Sequence, residues 1–488
     1  MTTFASLSSL DADDFTSIAL TPDGRVSSRM ATALPDKRDH WVVIAPAAVR
    51  FHPRFQEIVR QEGHRRPDVD LFYGDEIEPT AGGGAGWDLV LKPDLDLALL
   101  IADDYVGVPL VVRASAMRRL GELRPAAGTA AAYELVLRAL SAGLGITRIT
   151  EQLAAHRRAR PRPRIDDRRA ALQAWLADTA SPFDITDGLV PGTLRLQRRF
   201  AAFPDVTLVI PTRQSTRPDD RGAGCGQPYI LDLLDSVART DWPMDQLRVV
   251  IGDDVASDHV YGGQRWPFDM RRLVTSRGDG KFNYAEKINR LWRAAETEQI
   301  VIMNDDMVVR SADWLQALLT FSMQDDVGVA GARLIYPNDT IQHAGIPGGL
   351  FGMCAHAWLG QPAAAPTYQN WALVHREWSM MTGAVHATRK SVLELLNGFD
   401  ERFSLEFNDV DFCLRARMLG YRNVYTPFAE LVHHEKASRG EVLPPGGELA
   451  LFLKRWGEFL EHDPAYHPML ARDRFQIGPV DHPGGWWQ

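Results

Sequence analysis

The sequence predicts an α/β protein whose C-terminal half is built on a mostly parallel sheet. Three observations carry this expectation. Continuous apolar runs at 206–210, 247–251 and 300–303 read as strands buried on both faces. Helix-like segments at 231–238 and 286–295 alternate with them, which is the pattern of a parallel sheet. Polar residues close each run: Thr212 after Pro211, Asp253 with Asp254, and Asn304-Asp305-Asp306. In such sheets ligands bind beyond the carboxyl ends of the strands.

Taken in chain order, the 488 residues suggest about three domains at about 150 residues each. Residues 1–40 read as an irregular segment, and 41–155 alternate short apolar runs with helical stretches. Residues 156–204 read as an Arg/Pro-rich connector: seven arginines between Arg157 and Arg169, Pro161 and Pro163, and a short helix at 169–179. That arginine run suits either an anionic lipid or pyrophosphate-linked acceptor, or a solvated linker, and the linker is the favoured reading. Residues 205–440 hold the strongest patterns. Residues 441–488 read as a helical extension, with a helix at 448–460 followed by a tail carrying Tyr466, Trp486 and Trp487.

Composition sets limits. Hydrophobic residues make up 45% and charged residues 24%, the balance of a globular protein, so disorder and collagen-like structure are excluded. A formal net charge of −9 argues against a nucleic-acid partner. No apolar run reaches the roughly 20 residues of a membrane helix. The first 14 residues lack the basic start and apolar core of a secretory signal. Cys225, Cys354 and Cys413 are far apart and form no CxxC pair. A disulfide framework is therefore not expected, and a reducing cytoplasm is. Gly222-Ala-Gly-Cys-Gly226 has GxGxG rather than GxGxxG spacing and follows its strand too late, so it reads as a surface loop.

Three clusters carry candidate chemistry. Asp305 and Asp306 are adjacent carboxylates at a strand end, suited to magnesium or manganese, although a solvated turn explains them equally well. In Glu406-Phe-Asn-Asp-Val-Asp-Phe-Cys-Leu-Arg415, Asn408 suits a helix N-cap and Asp411 can pair with Arg415 four residues on. Asp409 is left in the first turn, either as a general base or as a complement to the helix dipole. His433 and His434 follow a strand-like run and are metal-ligand candidates, or ordinary structural histidines.

These pieces in this order resemble glycosyltransferase family 2, with the GT-A nucleotide-diphospho-sugar transferase fold, in its bacterial O-antigen and capsule polysaccharide form. The resemblance rests on VTLVIPT (206–212), VVIGDD (249–254), KFNYAEKIN (281–289), VIMNDDMVV (301–309), LIYPNDTIQHAG (334–345), MTGAVHATRK (381–390), GFDERFSLEFNDVDFCLRARMLGY (398–421) and HHEKASRG (433–440). It implies roles. Pro211, Thr212 and Asp253 match nucleoside-contacting positions, and Asn289 matches an asparagine near the diphosphate and sugar. Asn304, Asp305 and Asp306 match the DxD motif, with Asn304 in place of its first aspartate and Asp306 the metal ligand. His433 matches the metal-side histidine, with His434 as fallback. Gly383 and Ala384 match the strand facing donor and acceptor. Asp409 matches the catalytic base of the ED motif, with Asn408 in place of the glutamate.

The resemblance implies a metal-dependent (Mn or Mg), inverting transfer of a sugar from a nucleoside-diphosphate donor to a hydroxyl of a glycan or lipid-linked glycan. UDP- and dTDP-sugars are both open and GDP-sugars less expected. The implied location is the cytoplasm, with peripheral contact at the inner membrane face as a variant. The alternative is a catalytically idle binding or scaffold protein on the same fold. A nucleotidyltransferase is disfavoured, because 211–215 is not a Gly-rich, basic triphosphate loop.

The N-terminal half reads as a worn copy of the C-terminal half. Val42-Val-Ile-Ala-Pro-Ala-Ala-Val49 aligns with Val301-Ile-Met-Asn-Asp-Asp-Met-Val308 at an offset of 259 residues, which also places Phe55 on Trp314. Ala132-Tyr-Glu-Leu-Val-Leu-Arg138 matches Asp409-Val-Asp-Phe-Cys-Leu-Arg415. Pro46, Ala47 and Ala132 then stand where Asp305, Asp306 and Asp409 stand. Residues 41–155 are thus expected to be a truncated, metal-free GT-A-like module without catalytic function. A second active site built on Asp75 and Glu76 is the disfavoured alternative.

Overall fold

The computed structural model describes residues 7, 10, 14–21, 23–27, 34, 40–80, 86–217, 226–276, 282–434 and 446–480. Residues 222–225 of the expected glycine-rich loop lie outside the described residues, as do 435–440 and the C-terminal Trp486 and Trp487. The chain forms two compact units: Met1–Leu196 with His467–Leu470 and Pro479–Gln488, and Gln197–Tyr466 with Ala471–Gly478.

The first unit contains strands Phe15–Leu20 (β1), Trp41–Pro46 (β2), Arg50–Phe51 (β3), Val69–Pro79 (β4), Trp87–Val90 (β5), Leu110–Arg113 (β6) and Gly145–Ala155 (β7). They form one sheet in the order β1-β2-β6-β4-β7-β3, with β5 paired to β4. Helices Phe55–Arg65 (α1), Leu97–Ala102 (α2), Ala114–Leu120 (α3), Ala131–Ser141 (α4) and Ile165–Asp178 (α5) belong with it. A two-stranded sheet pairs Phe183–Asp187 (β8) with Leu194–Arg198 (β9).

Two expectations are corrected here. The segment expected to be irregular contains β1, which runs parallel to β2 and buries Phe15, Ile18 and Leu20 against the core. The expected connector is folded: α5 starts four residues earlier than expected, and most of the region belongs to the first unit. Its arginines explain why. The Arg168 guanidinium donates to Asp103, Ala102 O and Gly192 O, and Arg162 donates to Asp103. Arg169 pairs with Asp187, and buried Arg160 lies 3.9 Å from Glu76. The run therefore supplies internal staples, and Arg157 and Arg158 remain exposed.

The second unit contains Val206–Thr212 (β10), Leu247–Asp253 (β11), Asp269–Val274 (β12), Gln299–Met303 (β13), Met307–Val309 (β14), Val327–Ile335 (β15), Ile341–His343 (β16), Arg376–Glu377 (β17), Val385–Arg389 (β18) and Arg422–His433 (β19). Their order is β12-β11-β10-β13-β18-β15-β19-β14, with β16 on β15 and β17 on β19. The first four are mutually parallel, and β18 is antiparallel to both of its neighbours. The helices are Tyr229–Val237 (α6), Tyr284–Arg293 (α7), Trp314–Ser322 (α8), Lys390–Leu395 (α9), Asn408–Met418 (α10) and Gly446–Glu461 (α11). The mixed α/β sheet, parallel from β12 through β13, is of the α/β class the sequence predicts.

Two strands run through prolines, Pro211 and Pro427. β10 continues through Pro211 because its ladder with β13 ends at Val209, so the missing N–H interrupts nothing on that side. β19 continues past Pro427 because residues 427–429 lie where the register with β15 shifts, between Thr426 and Glu430.

The two sheets share a topology. β1-β2-β6-β4-β7-β3 repeats β10-β13-β18-β15-β19-β14 with the same sense at every pairing, and β5 on β4 repeats β16 on β15. α1 starts at Phe55 and α8 at Trp314, the positions aligned by sequence. α4 and α10 both have 11 residues, with Arg138–Glu134 and Arg415–Asp411 bonded at 2.8 Å. Among the described residues, the first unit has no counterparts of β11 and β12.

Candidate active site

The site is built where β10, β11 and β13 end, β18 begins and α10 starts. After Met303 the chain turns through Asn304, Asp305 and Asp306 into β14, which pairs antiparallel with β19 so that Met307 faces His433. This pairing turns the two acids apart. Asp305 accepts a 2.5 Å hydrogen bond from the Thr212 hydroxyl at the end of β10. Asp306 Oδ1 lies 3.2 Å from His433 Nε2, and the Asp306 carbonyl accepts from the His434 amide at 2.9 Å. Burial raises the Asp305 pKa to about 6. Burial acts the same way on Asp306, but the His433 ring outweighs it and holds that carboxyl below its ordinary value.

Asp306 Oδ1 and His433 Nδ1 are buried and make no hydrogen bond. A buried carboxylate and an imidazole ring 3.2 Å apart, with the imidazole Nδ1 unbonded, form a donor set that fits a divalent cation. No three His, Cys, Asp or Glu side chains converge on one point among the described residues. Such an ion would therefore take its remaining ligands from donor oxygens and water.

Asn304 is anchored beside this pair: its amide donates to Ala384 O at 3.0 Å, and its Oδ1 accepts from the Tyr284 hydroxyl at 3.2 Å. Ala384 and Gly383 immediately precede β18. The Gly383 amide donates to Asp409 Oδ2 at 2.6 Å, and Val410 N donates to Oδ1 at 2.8 Å. A Cβ on Gly383 would sit 3.0 Å from the Asp409 Cβ, so the close approach depends on glycine. Asp409 is half-buried, and burial raises its pKa. The residue before α10 is Phe407, at φ 63°, rather than Asn408. Asn408 opens the helix and its Nδ2 donates to Leu405 O at 3.1 Å, so the expected cap is corrected. Asp411 is structural as expected, bonded to Arg415, Arg455 and Trp456.

Two expected ligand contacts are not available in this arrangement. Asp253 is fully buried. Its Oδ2 accepts from Gln214 Nε2 (2.8 Å), Tyr261 OH (3.1 Å) and Arg272 Nε (2.8 Å), and its Oδ1 from Val255 N (2.9 Å). It fixes the rim of the site rather than presenting a free carboxylate. Asn289 is also buried and uses its whole hydrogen-bonding capacity internally. Its Nδ2 donates to Phe399 O and Glu401 Oε1, and its Oδ1 accepts from Phe399 N and Trp292 Nε1.

Lys287, which the sequence reading passed over, bridges the floor of the site. Its Nζ donates to Thr212 O at 2.9 Å and lies 2.8 Å from Asp254 Oδ2. Burial lowers its pKa. The signal was present: it is a lysine on a helix face shared with Ala285, Ile288, Leu291 and Trp292.

In the first unit, Asp75 and Glu76 form no open site. Both are fully buried. Asp75 accepts from Lys92 N at 2.8 Å and lies 2.7 Å from His467 Nε2. Glu76 contacts Lys92 Nζ, and His156 Nε2 at 2.5 Å. Burial would raise the Glu76 pKa, but Lys92, His156 and Arg160 outweigh it and hold it at about 2.

Residues 204–444 match the family model described as glycosyltransferase like family 2. This stretch is a glycosyltransferase family 2 domain. The family 2 match covers every candidate site residue. The chain is 28% identical over 472 residues to the uncharacterized protein y4gI of Sinorhizobium fredii, covering 93% of this chain and 51% of that one. It is 30% identical over 434 residues to the O-antigen biosynthesis protein RfbC of Myxococcus xanthus, covering 86% and 33%. It therefore spans about half and one third of the length of these relatives. Over 155 residues it is 26% identical to an N-acetylglucosaminyl-diphospho-decaprenol L-rhamnosyltransferase of Mycobacterium tuberculosis, covering 32% and 44%. Among solved structures, a mannosyltransferase of Pyrobaculum calidifontis in complex with GDP-Man and Mn2+ aligns at a TM-score of 0.35 and 18% identity, covering 60% of this chain and 77% of that one. Among the described residues, no helix is long and apolar enough to cross a membrane.

Proposed function

We propose that the second unit is a metal-dependent, inverting glycosyltransferase. It would move a sugar from a nucleoside-diphosphate donor to a hydroxyl of a glycan or lipid-linked glycan in surface polysaccharide assembly. The observation that carries this is the placement of two separate functions at one sheet end. Asp306, whose buried carboxylate lies 3.2 Å from the His433 ring, offers a cation site, and Asp409, oriented by the Gly383 amide, offers a base. The similarity to an O-antigen biosynthesis protein supports the polysaccharide context.

Asp306 and His433 would hold the ion, which when bound supplies positive charge against the leaving diphosphate. Asp409 accepts the proton of the acceptor hydroxyl as that oxygen attacks the anomeric carbon. The two backbone amides on its carboxylate fix its direction, and its raised pKa makes it a stronger base than an ordinary aspartate. Attack from the face opposite the leaving group inverts the configuration. Thr212 and Lys287 hold Asp305 and Asp254 at the donor end. The first unit, with alanines at the positions of Asp306 and Asp409, is read as non-catalytic.

The test is release of nucleoside diphosphate from a panel of UDP-, dTDP- and GDP-sugars, with and without manganese or magnesium. One donor is expected to be hydrolysed slowly, and only with metal. Hydrolysis that persists in chelator would contradict the metal assignment. Failure of every nucleotide to bind would contradict the transferase reading.

A further inference from the structure

α11 begins at Gly446, just beyond the residues matched by the family model, and its buried face grips the loop that leads into α10, whose first turn carries Asp409. Glu448, Phe452, Arg455 and Trp456 follow helical i, i+4, i+7, i+8 spacing and so share one side. Glu448 is buried, and its carboxylate accepts from Ser404 N (2.8 Å), Ser404 Oγ (2.5 Å), Leu405 N (3.4 Å) and Glu406 N (2.9 Å). These are the three residues before Phe407. The fully buried Phe452 ring stacks on Phe407 at 4.6 Å and 13°, and meets Phe403 edge-on at 6.3 Å. Arg455 bonds Asp400 at 2.9 Å and Asp411 at 2.5 Å, and Trp456 Nε1 bonds Asp411 at 2.9 Å.

Phe407 needs this grip. Its φ of 63° is unfavourable for a bulky residue and persists only where the surroundings enforce it. That turn launches α10 so that Asp409, two residues later, meets the Gly383 amide. The Ser404 carbonyl is in turn used by Tyr284 N at 2.7 Å, which ties the same loop to the start of α7.

We infer that α11 is a positioning element for the base, and that Glu448 is its principal positioning residue. By capping the amides of 404–406 it fixes the Phe407 turn, and through it the direction of the Asp409 carboxylate. The inference rests on the proposed transferase reading. Glu448 touches neither donor nor acceptor in this account, so its loss acts on the chemical step and leaves donor affinity in place.

The experiment compares the full-length wild-type protein with Glu448→Ala and Glu448→Gln. It reads kcat, donor KM, nucleoside-diphosphate affinity, and amide hydrogen exchange at 404–411 and in β10 and β13. The Glu448→Ala variant is expected to lose about 10–10²-fold in kcat, the scale of a slightly misplaced catalytic group. Its KM and nucleotide affinity should stay within about threefold, with faster exchange confined to 404–411. Glu448→Gln, which keeps one acceptor oxygen, should recover part of kcat. An active wild type whose Glu448→Ala variant keeps its kcat overturns the inference alone. So does exchange that quickens equally in β10 and β13, which marks a general loss of stability. A wild type inert on every donor overturns the transferase reading and the inference with it.

Discussion

Asp305 and Asp306 are adjacent in sequence yet answer to different partners. Thr212 takes one and His433 the other, so the strand-end repulsion is relieved by divergence as well as by any bound ion. Asp409 is the residue whose setting most directly predicts behaviour. It must be ionised to accept a proton, and burial raises its pKa. The acid limb of the kcat–pH profile is therefore expected above the ordinary aspartate range, with activity rising as pH rises through it. A limb at the ordinary range, or a flat profile, would contradict the assignment. The sequence made these acids legible because each stands at the end of an apolar run or at a helix start. It did not disclose the partners of Asp253, since Gln214, Tyr261 and Arg272 reach it from three separate segments.

At the scale of elements, the buried strands and helices were readable from apolar periodicity, and the errors have local causes. Pro211 looks like the end of its apolar run, but it faces the side of β10 on which the ladder with β13 has already ended. β1 follows a polar stretch, and its partner β2 is 20 residues away, so nothing local announces it. Asn289 shows how a side chain can serve an element rather than a ligand. It ties α7 to the chain around Phe399, and a Cβ on Gly398 would come within 2.2 Å of its Oδ1. Asn289→Ala would leave the Phe399 amide and carbonyl and the Trp292 indole without their partner. It is expected to cost at least about 3 kcal/mol in denaturant unfolding, since each of the three buried orphans costs about 1–3 kcal/mol. Donor KM in the surviving folded enzyme should be unchanged. A large rise in KM with unchanged stability would restore Asn289 as a sugar contact.

At the scale of the molecule, the described residues hold two sheets that share a topology and a single set of candidate catalytic groups. The repeat was legible because the helix starts and the Glu134/Arg138 and Asp411/Arg415 pairs survive at matching spacing. Its electrostatics were not. His156 follows β7 as His433 closes β19, but it meets Glu76 within an ion cluster with Lys92, where the second unit has the Asp306 pair. That cluster predicts a stability effect. Glu76→Gln would take from the buried Lys92 ammonium the carboxylate it contacts, at a cost of about 3–5 kcal/mol. The sign with pH follows from a carboxyl held at about 2 against an ordinary 4.5. The Glu76 contribution is complete above the unfolded value and shrinks as pH falls toward the folded one. Denaturant unfolding of wild type and variant at neutral and acidic pH checks both points, and a gap that widens on acidification would contradict the cluster.

The central claim is that Asp409 takes the proton from the acceptor while Asp306 and His433 serve the leaving group. The most direct measurement is Asp409→Asn, an exchange of nearly equal shape, read as kcat and nucleoside-diphosphate affinity side by side. The account predicts that kcat falls about 10²–10⁴-fold while nucleotide affinity with metal is retained. Wild-type turnover in Asp409→Asn would contradict it.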